Sequence, residues 1–350
     1  MRIVVVGASG NVGTSVLRAL GRDAAVESVV GVCRRLPRLG FPKVEWQTAD
    51  VAGSPLEPLF EGADVVVHLA WLIQPRRDRR LIRRVNVEGS ERVFEAVARA
   101  RVPALVYASS VGAYARGPKD RAVDESWPTT GVDSSFYSVD KAAVERLLDR
   151  FEEEQPEVRV VRFRPGLIFS REAASEIRRL FAGPLLPGSL VRPGLIPLVP
   201  DVERLVFQAV HSRDVGEAYR LAATGDARGA FNLAAEPVIG PRELGSLLRA
   251  RPVKVPAVAL RAAASLSFRL RLQPSEPGWL DMALAVPAMD SSRARSELGW
   301  TPERTSLEAL SELLEGIRQG AGLDTPPLEP GNAGPLRLRE LMSGLGARRG

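Results

Sequence analysis

The 350-residue sequence predicts an α/β fold, a doubly wound parallel sheet with a smaller mixed C-terminal lobe. Three observations lead to this prediction. Short apolar runs alternate with helical patterns through the first half, as they do in repeated strand–helix–strand units. A glycine-rich turn lies between the first apolar run and the first helical pattern. After Pro165 the alternation weakens, and residues 183–200 are rich in proline and glycine.

The predicted elements follow from the spacing of apolar residues. Short apolar runs predict buried strands at Ile3–Val6, Val26–Val32, Val65–Leu69, Ala104–Ala108 and Val158–Phe163. Helical spacing predicts helices at Thr14–Leu20, Glu88–Arg101 and Phe136–Glu154. We therefore divide the chain into a first domain at 1–165, to which 211–235 returns, a smaller lobe at 166–320 and a flexible tail at 321–350.

Composition disfavours several kinds of site. The single cysteine, Cys33, excludes a disulfide framework, and the two histidines, His68 and His211, leave little material for a metal centre or a Ser-His-Asp hydrolase. We predict no metal. No apolar run of about 18 residues occurs and the first strand starts at Ile3, so we expect no membrane span, no signal peptide and a cytoplasmic protein.

The net charge of +6 arises mostly from interspersed charged residues, which is typical of a solvated surface. The exception is the arginine-rich stretch at 76–84, which could bind phosphates or form an exposed helix face. We favour the exposed helix face and predict no nucleic-acid partner.

The glycine-rich turn has the spacing GxxGxxG, formed by Gly7, Gly10 and Gly13. Gly7 suits a tight turn, Gly10 lets the backbone approach a pyrophosphate, and Gly13 allows close packing of helix on strand. Asn11 and Val12 open the helix whose N-terminus would face the phosphates. The pattern predicts a dinucleotide site in a Rossmann domain.

The end of the second strand carries Arg34 and Arg35 where an NAD site usually carries an acid for the ribose 2′-hydroxyl. Guanidinium groups suit a 2′-phosphate, which favours NADP over NAD, although both arginines could simply face solvent. Asp50, followed by Val51, could accept a hydrogen bond from the adenine amino group or could cap a turn. We include all four in the predicted cofactor site.

Tyr137 and Lys141 lie four residues apart in a predicted helix and therefore share one face. The chain has four tyrosines and, by our count along the sequence, its lysines stand only at 43, 119, 141 and 254. A nearby ammonium lowers the pKa of a phenol, which would make Tyr137 a usable proton donor or acceptor. Ser110, at the end of a predicted strand, could hydrogen-bond the reacting oxygen.

In this order, the motifs resemble the extended short-chain dehydrogenase/reductase family, also called the NAD-dependent epimerase/dehydratase family, over roughly residues 1–310. Leu69 and Ala70 resemble the family's cofactor-contacting strand end. Asn86 matches an asparagine that supports the active site, and Pro165 lies in a segment similar to the one that lines the nicotinamide. The family's SSxxxY pattern assigns Ser110, not Ser109, to catalysis, and its YxxxK pattern matches Tyr137 and Lys141.

The resemblance implies reversible hydride transfer between NAD(P) and a secondary alcohol or ketone, on a small-molecule substrate, in a homodimer formed through the helices at about 88–101 and 136–154. One alternative is an NAD-dependent sugar-nucleotide epimerase, and another is a non-enzymatic NADP-binding sensor. Two departures bear on the choice. Val111-Gly112 replaces the Asp-Glu of family dehydratases, and Phe207 stands where nucleotide-sugar members often carry arginine.

Overall fold

The computed structural model describes residues 1–73, 78–181, 194–270, 272–273 and 275–330. Its strands, in chain order, are β1 (Arg2–Val6), β2 (Ser28–Cys33), β3 (Val44–Thr48), β4 (Val65–His68), β5 (Ala104–Ala108), β6 (Ala122–Val123), β7 (Arg159–Pro165), β8 (Leu167–Phe169), β9 (Leu198–Asp201), β10 (Phe207–His211), β11 (Gly229–Leu233), β12 (Ala235–Ile239), β13 (Arg251–Lys254) and β14 (Ala288–Met289). Its helices are α1 (Asn11–Arg22), α2 (Glu57–Phe60), α3 (Arg79–Arg83), α4 (Gly89–Arg99), α5 (Phe136–Glu154), α6 (Ala174–Phe181), α7 (Ser212–Thr224), α8 (Pro241–Leu248), α9 (Ala257–Arg269), α10 (Gly278–Ala285), α11 (Ser292–Glu297) and α12 (Ser306–Gln319).

The main sheet has seven strands in the order β11-β7-β5-β4-β1-β2-β3, and every neighbouring pair is parallel. The strand order reverses between β1 and β4, which is the point where ligands bind in doubly wound sheets. This arrangement confirms the predicted Rossmann-type parallel sheet.

Helices cover both faces of this sheet, because successive side chains of a strand point to opposite sides. In β1, Ile3 and Val5 pack with α1 and α7, whereas Val4 and Val6 pack with α4 and α5. All four side chains are buried. A sheet buried on both faces requires the nearly continuous apolar strands from which it was predicted.

The second half of the chain contributes to two regions. Strand β11 pairs with β7 in parallel and completes the main sheet, while α7 packs against α1. Three smaller sheets, with the orders β12-β10-β8, β13-β9 and β14-β6, lie outside the main sheet. Residues 321–330, predicted to begin a flexible tail, pack against the body through the buried side chains of Thr325 and Leu328; residues 331–350 lie outside the described part.

Most predicted elements agree with the structure within a few residues, and α5 has the predicted bounds. Strand β3 was missed because its sequence, VEWQT, is polar and partly exposed at the sheet edge. The helix predicted from Glu88 starts earlier, because α3 leads directly into a π-helical turn at Arg84–Glu88, which continues into α4. Such turns are frequent at functional sites, and this one carries Asn86.

Candidate functional site

The glycine loop lies between β1 and α1, and each of its glycines suits its position for a different physical reason. Gly7 has φ +90°, and a Cβ there would lie 2.6 Å from the backbone nitrogen of Ala70. A Cβ on Gly13 would lie 2.5 Å from the carbonyl oxygen of Ala8, so this glycine lets α1 approach the loop. A Cβ on Gly10 would lie 3.6 Å from the Gly7 carbonyl oxygen, an ordinary contact; Gly10 caps α1 without a side chain, which leaves the first N–H groups of the helix available to an anion.

A cleft opens beside this loop at the carboxyl ends of the strands. The predicted cofactor residues that line it are Gly7, Gly10, Arg34, Arg35, Asp50, Val51, Leu69 and Ala70. The side chains of Arg34 and Arg35 are exposed and have no ion-pair partner among the described residues. Asp50 accepts a hydrogen bond from the Ala52 N–H at 2.9 Å, so it caps a turn at the edge of the cleft. An extended cleft with free N–H groups and two cations fits a dinucleotide.

The remaining predicted cofactor residues lie close to the cleft without forming its wall. Asn11 accepts a hydrogen bond from Ser170 at 2.9 Å, and its amide lies 3.4 Å from the carbonyl oxygen of Ile168. Val12 packs into the core beside the main sheet. Pro165 is buried at the end of β7. Asn11 therefore ties the start of α1 to the strand that follows β7.

The opposite wall of the cleft comes from distant parts of the chain. Glu176 and Arg179 of α6 line it together with Pro326 and Pro327. Arg179 donates a hydrogen bond to the carbonyl oxygen of Pro327, which joins the two segments. No sequence pattern indicated this wall, because residues 321–330 have no apolar periodicity.

Ser110 and Tyr137 meet at the same edge of the sheet. Ser110 follows β5, and its hydroxyl accepts a hydrogen bond from the Gly112 N–H at 3.0 Å. Tyr137 lies in the first turn of α5. Burial raises the pKa of Tyr137 to about 12, opposed by a hydrogen bond with Ser110. The sequence predicted a lowered pKa, and the direction differs because burial of the phenol dominates.

Lys141 lies one helical turn after Tyr137 and is buried. Its Nζ donates a hydrogen bond to the carbonyl oxygen of Ala108 at 2.7 Å and lies 6.0 Å from the centre of the Tyr137 ring. Burial lowers the pKa of Lys141 to about 7, although the charges of Glu145 and Asp140 oppose the shift. This ammonium is therefore easily deprotonated at neutral pH.

Two tryptophans that no sequence motif indicated flank Tyr137. The Trp71 ring meets the Tyr137 ring edge-on at 6.0 Å, and the Trp279 ring lies against it at 4.8 Å. The Nζ of Lys141 lies 3.5 Å from the centre of the Trp71 ring, in cation–π contact. Trp71 also lines the cofactor cleft. Its position directly after Ala70 was the one sequence signal for it.

Asn86 acts through the backbone of the segment that carries Trp71. Its side-chain oxygen accepts a hydrogen bond from the Leu72 N–H at 2.7 Å, and its amide donates to the Leu72 carbonyl oxygen at 3.3 Å. This paired contact fixes the chain just after β4. Asn86 therefore positions the wall of the cleft.

The neighbouring Ser109 has a different environment from Ser110. Its hydroxyl donates to Glu145 at 2.5 Å, and Glu145 also pairs with Arg162 and Arg164, each at 2.9 Å. Glu145 is fully buried one helical turn after Lys141. The network anchors α5 to β5 and β7 behind the active face. Spacing alone could have suggested it, since 137, 141 and 145 share one helix face.

Both histidines have structural partners. His68 is buried with its Nε2 3.0 Å from the Ser90 hydroxyl, and burial, together with the charge of Lys141, lowers its pKa to about 3. His211 caps α7 by accepting from the Arg213 N–H at 3.2 Å. Among the described residues, no group of three or more His, Cys, Asp or Glu side chains could hold a metal ion, and no helix is long and apolar enough to cross a membrane.

Part of the arginine-rich stretch also has a partner on α5. Arg79 lies 3.8 Å and Arg83 3.7 Å from the carboxylate of Asp140, and the Arg79 guanidinium lies over the Phe136 ring. Residues 76 and 77 lie outside the described part. These two arginines are thus held against α5 by the residue that precedes Lys141.

Comparison with known proteins finds a matching family model and solved structures of similar fold. A family model described as "NAD dependent epimerase/dehydratase family" matches residues 3–234. A solved structure of the UDP-glucose 4-epimerase of Thermus thermophilus in complex with NAD has a TM-score of 0.67 at 21% identity and covers 91% of this chain and 99% of that one. At this identity the likeness concerns the fold.

Two relatives illustrate the range of the similarity in sequence. An uncharacterised protein of Mycobacterium tuberculosis is 27% identical over 325 residues, which are 92% of this chain and 31% of the relative, so the chain spans about a third of that protein's length. A Stigmatella aurantiaca protein named 4-hydroxy-2-methyl-3-oxo-4-farnesyl-3,4-dihydroquinoline-1-oxide ketoreductase is 26% identical over 340 residues, covering 92% of this chain and 98% of the relative.

Proposed function

The chain belongs to the NAD-dependent epimerase/dehydratase family, and on that premise we propose that it is an NAD(P)-dependent oxidoreductase acting on a secondary alcohol/ketone pair. The observation that carries the proposal is the meeting of Ser110 and Tyr137 at the edge of the sheet, with Lys141 one helical turn behind. Trp71, which lines the cleft that fits a dinucleotide, contacts the Tyr137 ring at 6.0 Å.

Ser110 and Tyr137 have different roles in the proposed reaction. When bound in the cleft, a nicotinamide cofactor would supply the chemistry of reversible hydride transfer at the carbonyl carbon. Ser110 donates a hydrogen bond to the carbonyl oxygen and stabilises the charge that develops there. Tyr137 gives its hydroxyl proton to that oxygen. With its pKa raised to about 12 by burial, against a hydrogen bond with Ser110, the phenol is protonated at neutral pH and suits the reduction of a ketone.

Lys141 and Asn86 support this pair. In its protonated form, the Nζ of Lys141 donates to the Ala108 carbonyl oxygen and keeps two further N–H groups for a ribose hydroxyl or for the phenol oxygen. Asn86 holds the Leu72 backbone and so keeps Trp71 at the cofactor cleft. The Stigmatella relative is named as a ketoreductase, and ketone reduction is a reaction of the same class.

The cofactor we propose is NADP in preference to NAD. Arg34 and Arg35 line the cleft at the end of β2, where the ribose of the adenosine half would lie, and no described residue neutralises them. The family description names NAD, and NAD remains the second cofactor to test.

The experiment follows the absorbance of NADPH at 340 nm with a panel of alkyl and aryl ketones. We expect net oxidation of NADPH, and Tyr137→Phe should lower kcat by about 10²–10⁴-fold while NADPH binding is retained. Tyr107→Phe is the matched control, because the buried Tyr107 hydroxyl has no hydrogen-bond partner in the described structure. Turnover that survives Tyr137→Phe would refute the assigned role.

Two other functions make different predictions in the same assay. A sugar-nucleotide epimerase returns the hydride to its own substrate, so it would convert UDP-glucose with no net change at 340 nm. A non-enzymatic NADP sensor would bind the cofactor without turning over any ketone. The first is compatible with the fold of the Thermus enzyme, but the site chemistry described above favours neither over ketone reduction.

We further propose a cytoplasmic homodimer joined through α4 and α5, acting on a small molecule, with no nucleic acid or membrane as a partner. These two helices pack against each other beside the main sheet and could present a joint outer face. Native mass spectrometry reports the oligomeric state and any co-purified dinucleotide together. A monomer would contradict the proposed interface.

A further inference from the structure

A cavity of about 70 Å³ begins beside the proposed reacting groups. Val111, directly after Ser110, and Gly166, directly after Pro165, are part of its wall. A Cβ on Gly112 would lie 2.8 Å from the Tyr137 ring and 2.9 Å from the sulfur of Met282, another wall residue. The Tyr137 ring and Met282 of the cavity wall therefore both pack closely around this glycine.

Most of the cavity wall is apolar. Apolar side chains of the smaller lobe contribute to it, namely Leu167, Val206, Phe207, Val238, Val286 and Met289. Phe207 is the residue that stands where nucleotide-sugar enzymes were expected to carry arginine. An apolar group that enters this space leaves water without losing a hydrogen bond.

The two polar side chains among the described wall residues already have backbone partners. The amide of Gln208 donates to the Met289 carbonyl oxygen at 2.9 Å, and its oxygen accepts from the Met289 N–H at 2.6 Å. The Nζ of Lys119 donates to the carbonyl oxygens of Val206 at 3.1 Å and Ala283 at 2.8 Å. A sugar hydroxyl in this cavity would therefore be buried with few partners, which is unfavourable.

Lys119 also helps to hold the cavity wall in place. Together with Arg204, which donates to the Leu284 carbonyl oxygen at 3.1 Å, it binds the last turn of α10. Cations at a helix C-terminus satisfy its free carbonyl groups. Helix α10 carries both Trp279, against Tyr137, and Met282, in the cavity wall. The apolar wall and the Tyr137 contact are thus fixed by the same helix.

We infer that the substrate is a ketone or secondary alcohol with a short apolar group next to the reacting carbon, and that this group fills the cavity while the oxygen contacts Ser110 and Tyr137. The inference rests on the proposed function, since it names the substrate class of that site. The cavity has about half the volume of engineered cavities of about 150 Å³ that bind benzene, so it suits a chain of a few carbons.

The test is a series of methyl ketones from butanone to 2-octanone, with NADPH oxidation as the readout. We expect kcat/KM to rise about three- to fourfold per methylene until the cavity is filled and then to level off. Val238→Phe, which fills the cavity, should remove this dependence. Val258→Phe, at an exposed position on α9, is the matched control and should keep it. A flat series in the unmodified enzyme would overturn the inference.

A binding measurement separates failure of this inference from failure of the proposed function. Calorimetry of the same ketones, and of UDP-glucose, with the NADP-loaded Tyr137→Phe variant requires no turnover. Affinity for the ketones that rises with their chain length would support the cavity assignment, even if the enzyme reduces no ketone. A lack of ketone reduction would then count against the proposed function alone. Binding of UDP-glucose with no binding of the ketones would overturn the inference, whatever reaction the enzyme catalyses.

Discussion

Replacing Glu145 by Gln tests the buried network that holds α5 behind the proposed active face. Glu145 is fully buried and contacts Ser109, Arg162 and Arg164. Burial alone would raise the pKa of Glu145, but its hydrogen bond and charge interaction with Arg164, and the charge of Arg162, outweigh burial and hold the pKa at about 2. The amide keeps the shape of the side chain and removes the charge, which leaves two buried guanidinium groups short of a partner.

The magnitude follows from this pKa. A value of about 2 in the folded chain, against the ordinary 4.5 in the unfolded chain, corresponds to about 3 kcal/mol of stability at pH 7. Because the folded-state pKa of this acid is the lower one, the contribution is fully present above about pH 4.5 and is lost as the pH falls towards 2. At pH 3.5 about 2 kcal/mol should remain.

Urea unfolding followed by far-ultraviolet circular dichroism measures the effect. Glu145→Gln should lower the free energy of unfolding by about 3 kcal/mol at pH 7, and the difference from the unmodified chain should narrow as the pH approaches 3.5. Glu153→Gln, at an exposed position on the same helix, is the control and should change little. A difference below about 1 kcal/mol at pH 7, or one that does not vary with pH, would refute the reasoning.

Three further predictions concern the cofactor cleft. Replacing Arg34 and Arg35 together by Ser should weaken NADP binding by about ten- to a hundredfold with little change for NAD, measured by calorimetry, and an equal loss for both cofactors would contradict the 2′-phosphate assignment. Gly7→Ala should abolish dinucleotide binding in the same measurement, because its Cβ would lie 2.6 Å from a backbone nitrogen at φ +90°; normal binding would contradict the tight turn. Burial, opposed by the charges of Glu145 and Asp140, lowers the pKa of Lys141 to about 7, and the Trp71 ring stabilises its charged form. Trp71→Leu should therefore move the lysine-dependent limb of the pH profile of kcat/KM to lower pH by about half a unit or more, and Trp71→Phe should move it less. An unchanged limb in Trp71→Leu would contradict the cation–π contact.

The candidate site was predictable where its residues are neighbours in sequence. Gly7, Gly10 and Gly13 could be placed because a strand, a turn and a helix follow one another within a few residues. Tyr137 and Lys141 could be placed because a helix brings positions four apart to one face. The choice of Ser110 over Ser109 came from a family pattern, and the structure adds the physical difference, since the Ser109 hydroxyl is engaged with Glu145.

The parts that escaped prediction depend on contacts between distant segments. Trp279 reaches Tyr137 across more than 140 positions, and Pro326 and Pro327 face a loop that begins at Gly7. Neither contact leaves a periodic signal in the sequence, because the local pattern of each segment is compatible with many different tertiary partners. The pKa of Tyr137 could not be predicted from the sequence for a similar reason. Burial raises this pKa, against the hydrogen bond with Ser110, and burial is a property of the assembled molecule.

The sequence by itself therefore determined the parallel sheet, the glycine loop and the pairing of Tyr137 with Lys141, all of which follow from backbone periodicity and short-range sterics. Only the tertiary structure decided which groups surround that pair: the two tryptophans, the buried carboxylate behind it and the apolar cavity beside it. The physical reason is that hydrogen bonding within a helix or a loop is local, whereas desolvation and packing depend on every segment that covers the site.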